Sequence, residues 1–216
     1  MIKTAASRIV SGARLAAVLA LLTATVQAQN YLVDPGFELQ TPPGSGGWNL
    51  FNGAAFSMAY AHSGSWSMAD IGHNSVPGSF EEFAATPGSK WQLTGFGMTP
   101  AALAGSPAFG ILQITYFDSA HNNLGTVETS PGNAKASNQI NGSTPSGVWT
   151  ALDTGIATAP ANTAFIQAFT LDVDFSGNTQ GVYFDDLTLT QVPEPSSLAL
   201  LGLAVIVGIW RRRAAH

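Results

Sequence analysis

The chain has no cysteine. Disulfides, thiolate metal sites and cysteine nucleophiles are therefore excluded, and the fold must stand on its core or on metal. Basic residues are almost as scarce where they would matter. Of the 8 Lys and Arg, six (Lys3, Arg8, Arg14, Arg211, Arg212, Arg213) sit at the chain ends. Between the ends, Lys90 and Lys135 face twelve carboxylates, a net charge of about −10 against −5 for the whole chain. Phosphate binding needs clustered Lys and Arg, so nucleic acid and anionic headgroups are poor partners. Cations and neutral polymers remain. A sustained helical period is missing from the same region, and so are a phosphate-cradling loop, an H-E-x-x-H pair and the strand-to-helix context that a G-x-S-x-G elbow requires.

The two ends are apolar. Lys3, Arg8 and Arg14 precede the run Leu15 to Val26, and Val26-Gln27-Ala28 supplies small residues for cleavage, which reads as a secretory signal over 1–28. At the other end stands V-P-E-P-S-S, then an uncharged segment from Leu198 to Trp210, then Arg211-Arg212-Arg213. Pro193 and Pro195 bias their neighbours towards extended backbone and so part the tail from what precedes it. As a helix the apolar segment spans only about 20–22 Å, short of a bilayer core. The arginines would hold its far end in the cytoplasm, with Trp210 at the interface. This tripartite order, Pro193-Glu194-Pro195, short apolar helix and arginine cluster, resembles the PEP-CTERM sorting signal of Gram-negative bacteria. The resemblance implies export through the inner membrane and transient anchoring by the C-terminal helix. An exosortase-type enzyme would then recognise 192–216, leaving the product at the cell surface or in the extracellular matrix.

The remaining stretch, 29–191, is long enough for one domain with its own core. Its 23 Gly and 12 Pro, counted over the whole chain, fit short strands joined by turns. Strands are expected at Asn30 to Glu38 (broken by Pro35-Gly36), Trp48 to Phe51, Ala55 to Tyr60, His62 to Asp70 and Ser79 to Ala84. Others are expected behind Thr86-Pro87-Gly88-Ser89, and at Phe109 to Phe117, Thr126 to Glu128, Trp149 to Leu152, Phe165 to Val173 and Val182 to Thr190. Pro100 to Pro107 and Asn133 to Gly147 read as loops. The expected fold is all-β: an antiparallel β-sandwich of eight or more strands.

The order of landmarks carries a second resemblance. Asn30 to Gly36-Phe37-Glu38, Trp48 ahead of Gly53, Ser63-Gly64-Ser65-Trp66-Ser67, Pro87-Gly88 to Leu93, Trp149, and Tyr183-Phe184-Asp185-Asp186-Leu187 resemble, in that order, the galactose-binding-like jelly rolls that serve as carbohydrate-binding modules. That resemblance implies a structural Ca²⁺ held by Glu38 and Asp185, with Asp186 and Asp34 in reserve and backbone carbonyls of Ser63 and Gly64 nearby. Local chemistry agrees. Period-2 geometry puts Asp185 on the face of Tyr183, Leu187 and Leu189, a face expected to be core, and a buried carboxylate needs a partner. A hard cation ringed by oxygen fills that need. The other reading has these acids capping the sheet end in solvent.

A glycan would be met by aromatic faces with hydroxyl or amide support. The resemblance implies core positions for Trp48, Trp66, Trp91 and Trp149; the candidates for an exposed sugar contact are Tyr60, His73, Tyr116 and His121, together with Trp66, for which both readings stand. The pairs Glu81-Glu82 and Asp172/Asp174 read as solvated acids and not as the opposed carboxylates of a glycosidase. The expected protein is a non-catalytic, exported module that binds polysaccharide. The alternatives are a structural matrix component that binds no sugar and, third, a glycan-active enzyme.

Overall fold

The computed structural model describes residues 29–40, 47–72, 74–101, 103, 106–130, 139–176 and 180–192. The signal segment, the Pro193-Glu194-Pro195 tail and its arginines, and the helices expected there, lie outside the described residues. Gln29–Val192 forms one compact unit. Its described residues form eleven strands: β1 (Asn49–Phe51), β2 (Ala55–Ser57), β3 (Ser67–Asp70), β4 (Gly78–Ala84), β5 (Lys90–Met98), β6 (Phe109–Phe117), β7 (Asn123–Glu128), β8 (Thr150–Asp153), β9 (Ala157–Thr158), β10 (Phe165–Val173) and β11 (Val182–Val192). They make an antiparallel sandwich, a jelly roll, with one sheet ordered β1-β4-β10-β6-β7 and the other β2-β3-β11-β5-β8, β9 adding to β5.

Alternation along the long strands builds the core. On β5, Trp91 and Leu93 point inward, while Gln92, Thr94 and Phe96 are half-buried on the outer face. On β10 the inward set is Ile166, Ala168, Thr170 and Asp172. Trp48, Trp91, Phe37 and Phe184 are fully enclosed between the sheets, and each such burial stabilises by about 1.5–3 kcal/mol. Gly95 and Gly97 sit inward because neighbours fill the space a side chain would need: a Cβ at Gly97 would lie 2.8 Å from Ile140. That explains why Ile140, a lone apolar residue in a polar loop, is wholly buried and bridges Gly110.

Three expectations about strands change. Asn30 to Glu38 is an irregular arm that touches the sheet through Asn30, with Phe37 turned to φ 59° so that its ring enters the core against Trp48. His62 to Ser65 is not strand but a loop with Gly64 at φ 61°, and pairing begins only at Ser67. On β11 the register shifts between Asp185 and Thr188, with Asp186 at φ 49°. This β-bulge reverses the alternation. Phe184, Leu187 and Leu189 belong to the core, while Tyr183 packs in a separate outer cluster with Ala69 and Met98. Asp185 therefore shares a face with Tyr183 but not with Leu187 or Leu189, and it is buried under the 62–66 loop, not inside the sandwich.

Candidate functional site: an acidic knot beside a hollow

The bulge and the loop meet in a knot of carboxylates. Asp185 is fully buried, and its Oδ2 accepts the N–H groups of His62 (2.7 Å) and Ser63 (3.1 Å). Its Oδ1 accepts the N–H of Asp186 at 2.7 Å. Asp186 accepts the Ser63 hydroxyl at 2.6 Å and meets His62 Nδ1 at 2.6 Å. Glu38, arriving on the N-terminal arm, accepts the N–H groups of Ser65 (2.7 Å) and Trp66 (2.8 Å) through Oε1. Gly64 is required at the centre, since a Cβ there would fall 2.2 Å from that oxygen. Glu38, Ser63, Gly64, Asp185 and Asp186 thus come together at one edge of the sheet.

The loop turns the N–H groups of His62, Ser63, Ser65 and Trp66 towards the acids, since a carboxylate facing backbone needs donors. Burial raises the Asp185 pKa; the three N–H groups oppose that rise, and the charge on Asp186 adds to it. An ionised carboxylate has about four lone-pair sites. The knot therefore suits a hard cation chemically: all its side-chain donors but His62 are oxygen, and among the described residues no Lys or Arg is recorded against it. Among the described residues, however, no three His, Asp or Glu side chains stand as a ready-made metal cage.

Beside the knot, on the outer face of the β2-β3-β11-β5-β8 sheet, lies a hollow of about 380 Å³ lined by Thr94, Gly95, Phe96, Ala151, Leu152, Asp153, Asp186 and Thr188. Phe96, which lines it, stacks on His62, ring centroids 3.8 Å apart and 16° from parallel, with Trp149 edge-on to His62 at 5.6 Å. Asp153 accepts Gln92 Nε2 at 2.9 Å and the Gly155 N–H at 2.7 Å. The knot thus fixes the loop whose histidine stacks on Phe96.

The expected glycan residues do not converge. Tyr60 is 44% exposed and packs edge-on against Tyr183 in the same sheet. Trp66 is half-buried against the core. His121 lies in the β6–β7 turn, stacked on Phe165 and 3.3 Å from Glu82, on the other sheet. His73 lies outside the described residues. Tyr116 must be withdrawn: on β6 it alternates with Thr115 and Phe117 into the core, 2% exposed, and burial pushes its hydroxyl pKa up to about 12. Sequence reasoning missed Phe96, Trp149, His62 and Asp153. Phe96 carried a signal, since it breaks the odd-numbered inward parity of Trp91 and Leu93.

The solvated reading of the acid pairs is also corrected. Glu82 is exposed and accepts Gln167 Nε2 at 2.7 Å. Its neighbour Glu81 points inward, 1% exposed, and clamps the N-terminal arm through Val33 N–H (2.9 Å) and Asp34 N–H (3.4 Å). Burial lifts its pKa to about 7. Asp172 and Asp174 are likewise enclosed. Strand parity accounts for Asp172, which follows Ile166, Ala168 and Thr170 onto the inward face.

The fold and site together define a jelly-roll module with an acidic knot at one edge of an aromatic hollow. Residues 191–213 match the family model of the PEP-CTERM protein-sorting motif. No curated protein matches the chain. Among solved structures, the enzymatically active domain of tailspike protein 4 of bacteriophage CBA120 is similar at 10% identity and TM-score 0.51, over 76% of this chain and 21% of that one. The chain thus spans about a fifth of that tailspike's length. The CBM22-1 xylan-binding domain of Paenibacillus barcinonensis Xyn10C aligns at 13% identity and TM-score 0.47, over 68% and 87% of the two chains. TmCBM61, solved with β-1,4-galactotriose, aligns at 15% and 0.46, over 76% and 99%. Likeness at these identities is a likeness of fold.

Proposed function

We propose that this exported module binds a neutral polysaccharide in the hollow on its β2-β3-β11-β5-β8 sheet, without cleaving it. The observation that carries the reading is the His62–Phe96 stack, with Trp149 at its edge, bordering a 380 Å³ depression rimmed by Thr94, Asp153, Asp186 and Thr188. Aromatic faces meet the apolar faces of sugar rings, and the rim groups accept or donate hydrogen bonds to hydroxyls. The acidic rim disfavours anionic glycans, in keeping with the net charge of about −10 between the chain ends. The same reading has the Pro193-Glu194-Pro195 tail recognised by an exosortase-type enzyme while its apolar segment anchors the protein, after which the module reaches the surface or matrix. It also has Ca²⁺ held at the knot by Glu38, Asp185 and Asp186. The ion would neutralise these carboxylates and would hold the 62–66 loop in place.

The test is affinity electrophoresis and calorimetry of the full-length protein against a panel of neutral polysaccharides that includes xylan and β-1,4-galactan, in calcium and in chelator. Binding that weakens at least tenfold in Phe96→Ala supports the hollow; failure of every polymer to bind leaves the structural-matrix alternative standing. Asp153 and Asp186 both line the hollow, so release of reducing ends by wild type and not by Asp153→Asn would convert the reading to a glycan-cleaving enzyme.

A further inference from the structure

A second group of acids lies inside the sandwich, on residues with no part in the knot or the hollow. Asp70 ends β3 in one sheet, and Asp172 is near the end of β10 in the other; both are 1% exposed or less. Asp174, just beyond β10, is equally enclosed. Neither oxygen of Asp70 has a hydrogen-bond partner, nor do Oδ1 of Asp172 and Oδ2 of Asp174. The other Asp172 oxygen draws a long 3.4 Å contact from the Gly72 N–H, while Asp174 Oδ1 is held by the Ser176 N–H and hydroxyl at 2.8 and 2.7 Å. Burial is the main cause that raises the Asp70 pKa, and the Thr170 hydroxyl, which also meets Ser79 Oγ at 2.8 Å, opposes the rise. The acids feel one another: Asp172 pushes the Asp70 pKa further up, and Asp174 does the same to Asp172. Small residues crowd round. A Cβ at Gly181 would sit 2.7 Å from the Asp70 carbonyl, and one at Gly110, which pairs with Asp172, would sit 2.7 Å from Val182.

An unpaired buried carboxylate is costly, and four orphaned oxygens from three acids multiply the cost. Among the described residues no Lys or Arg is placed to relieve it. Lys90 begins β5, whose opposite end, Met98, pairs with Tyr183 next to the Val182 that Asp70 faces. We infer that the interior between Asp70 and Asp172 is a second cation site, taking a hard divalent ion such as Ca²⁺ and pinning the two sheets together. Asp70 and Asp172 supply the side-chain ligands from opposite sheets, and the free oxygen of Asp174 takes part through water. Because the three acids do not already form a closed cage, backbone carbonyls and water complete the 6–8 oxygens Ca²⁺ takes. Its binding is independent of the ion proposed at the knot.

The experiment counts calcium ions on the full-length protein, kept in detergent and stripped with chelator, by equilibrium dialysis and calorimetry. Asp70→Asn/Asp172→Asn should bind one ion fewer than wild type, and Glu38→Gln/Asp185→Asn should retain that ion. Calcium at about 100 times its dissociation constant should raise the wild-type melting temperature by roughly 5–10 °C through this site, a gain the first variant loses. In chelator at pH 7 that variant should melt no lower than wild type, since asparagine removes an uncompensated charge. An unchanged ion count in the folded Asp70→Asn/Asp172→Asn variant would overturn the inference. So would a wild-type protein whose stability in saturating calcium still climbs steeply with acid, because protons would then be filling the site.

Discussion

Replacing Gly64 by alanine tests the knot at its tightest point. The new Cβ would fall 2.2 Å from Glu38 Oε1 and 2.6 Å from its carboxyl carbon, so the carboxylate must move. In moving it gives up the Ser65 and Trp66 N–H groups, now at 2.7 and 2.8 Å. Bonds to a charged acceptor are worth about 1.5–3 kcal/mol each, but Glu38 is exposed and water replaces part of that. The backbone adds its own cost, since φ is 61° and an L-residue there pays about 1–2 kcal/mol. The expected loss is about 2–4 kcal/mol, or roughly 4–16 °C of melting temperature for a domain of this size. Gly88→Ala is the control. Its φ is 80° with nothing within 4 Å of the added atom, so it should show the backbone cost alone, roughly 2–8 °C. Thermal unfolding by circular dichroism gives both values, and the pair should be repeated in a Glu38→Ala background, where Gly64→Ala should fall to the level of the control. If Gly64→Ala and Gly88→Ala melt together in the wild-type background, the Glu38 contacts contribute nothing and the account of the knot is wrong.

Other expectations follow from neighbouring contacts. Trp149→Ala, which removes the edge-on partner of His62, should weaken glycan binding several-fold in calorimetry while leaving the fold intact. Gly95→Ala would put a Cβ 2.2 Å from Leu187 Cδ2 and 3.3 Å from its Cα, and overpacking of this kind should lower urea stability by about 1–3 kcal/mol. In chelator, stability should fall as pH rises from about 4 to about 8, as read by melting temperature. Burial raises Asp70 to about 8 and both Asp172 and Glu81 to about 7, so the folded state holds protons that the unfolded chain has released. Asp118, half-buried in the β6–β7 turn, whose pKa Asn122 lowers, works weakly the other way, and a melting temperature that climbs across this range would contradict the assignment.

Much of this was legible in the sequence, and the residues show where legibility stops. The bounds of β6 and β10 were read to the residue because each is a nine-residue run rich in β-branched and aromatic side chains. The knot residues Glu38, Ser63-Gly64 and Asp185-Asp186 were grouped through the resemblance to galactose-binding-like jelly rolls; the bulge that takes Asp185 off the Leu187 face could not be read from the alternation. The hollow was missed for the opposite reason. Phe96, Asp153 and Thr188 come from three strands whose adjacency depends on sheet order, and β5 lies between β11 and β8 only once the jelly roll closes. Tyr116 was misplaced because an aromatic on a strand announces burial or display equally well until the parity of Ile114 and Leu112 is used to decide.

The acids also explain why one cluster is satisfied and the other is not. Asp185 and Asp186 occupy a bulge, and the loop facing them contributes the N–H groups of His62, Ser63, Ser65 and Trp66 to the knot, because those residues pair with no strand. Asp70 and Asp172 stand within regular pairing, opposite Val182 and Gly110. Around them most backbone donors are committed to the ladders, and a strand cannot release one without losing a bond of its own. A domain with Lys90 as the one Lys or Arg among its described residues therefore has two ways to keep a carboxylate out of water. At its edges it can bend backbone towards the charge, and between its sheets it needs a positive species from outside. Calcium-linked stability should accordingly be lost more completely on neutralising Asp70 and Asp172 than on neutralising Glu38 and Asp185, whose hydrogen bonds persist when the ion leaves.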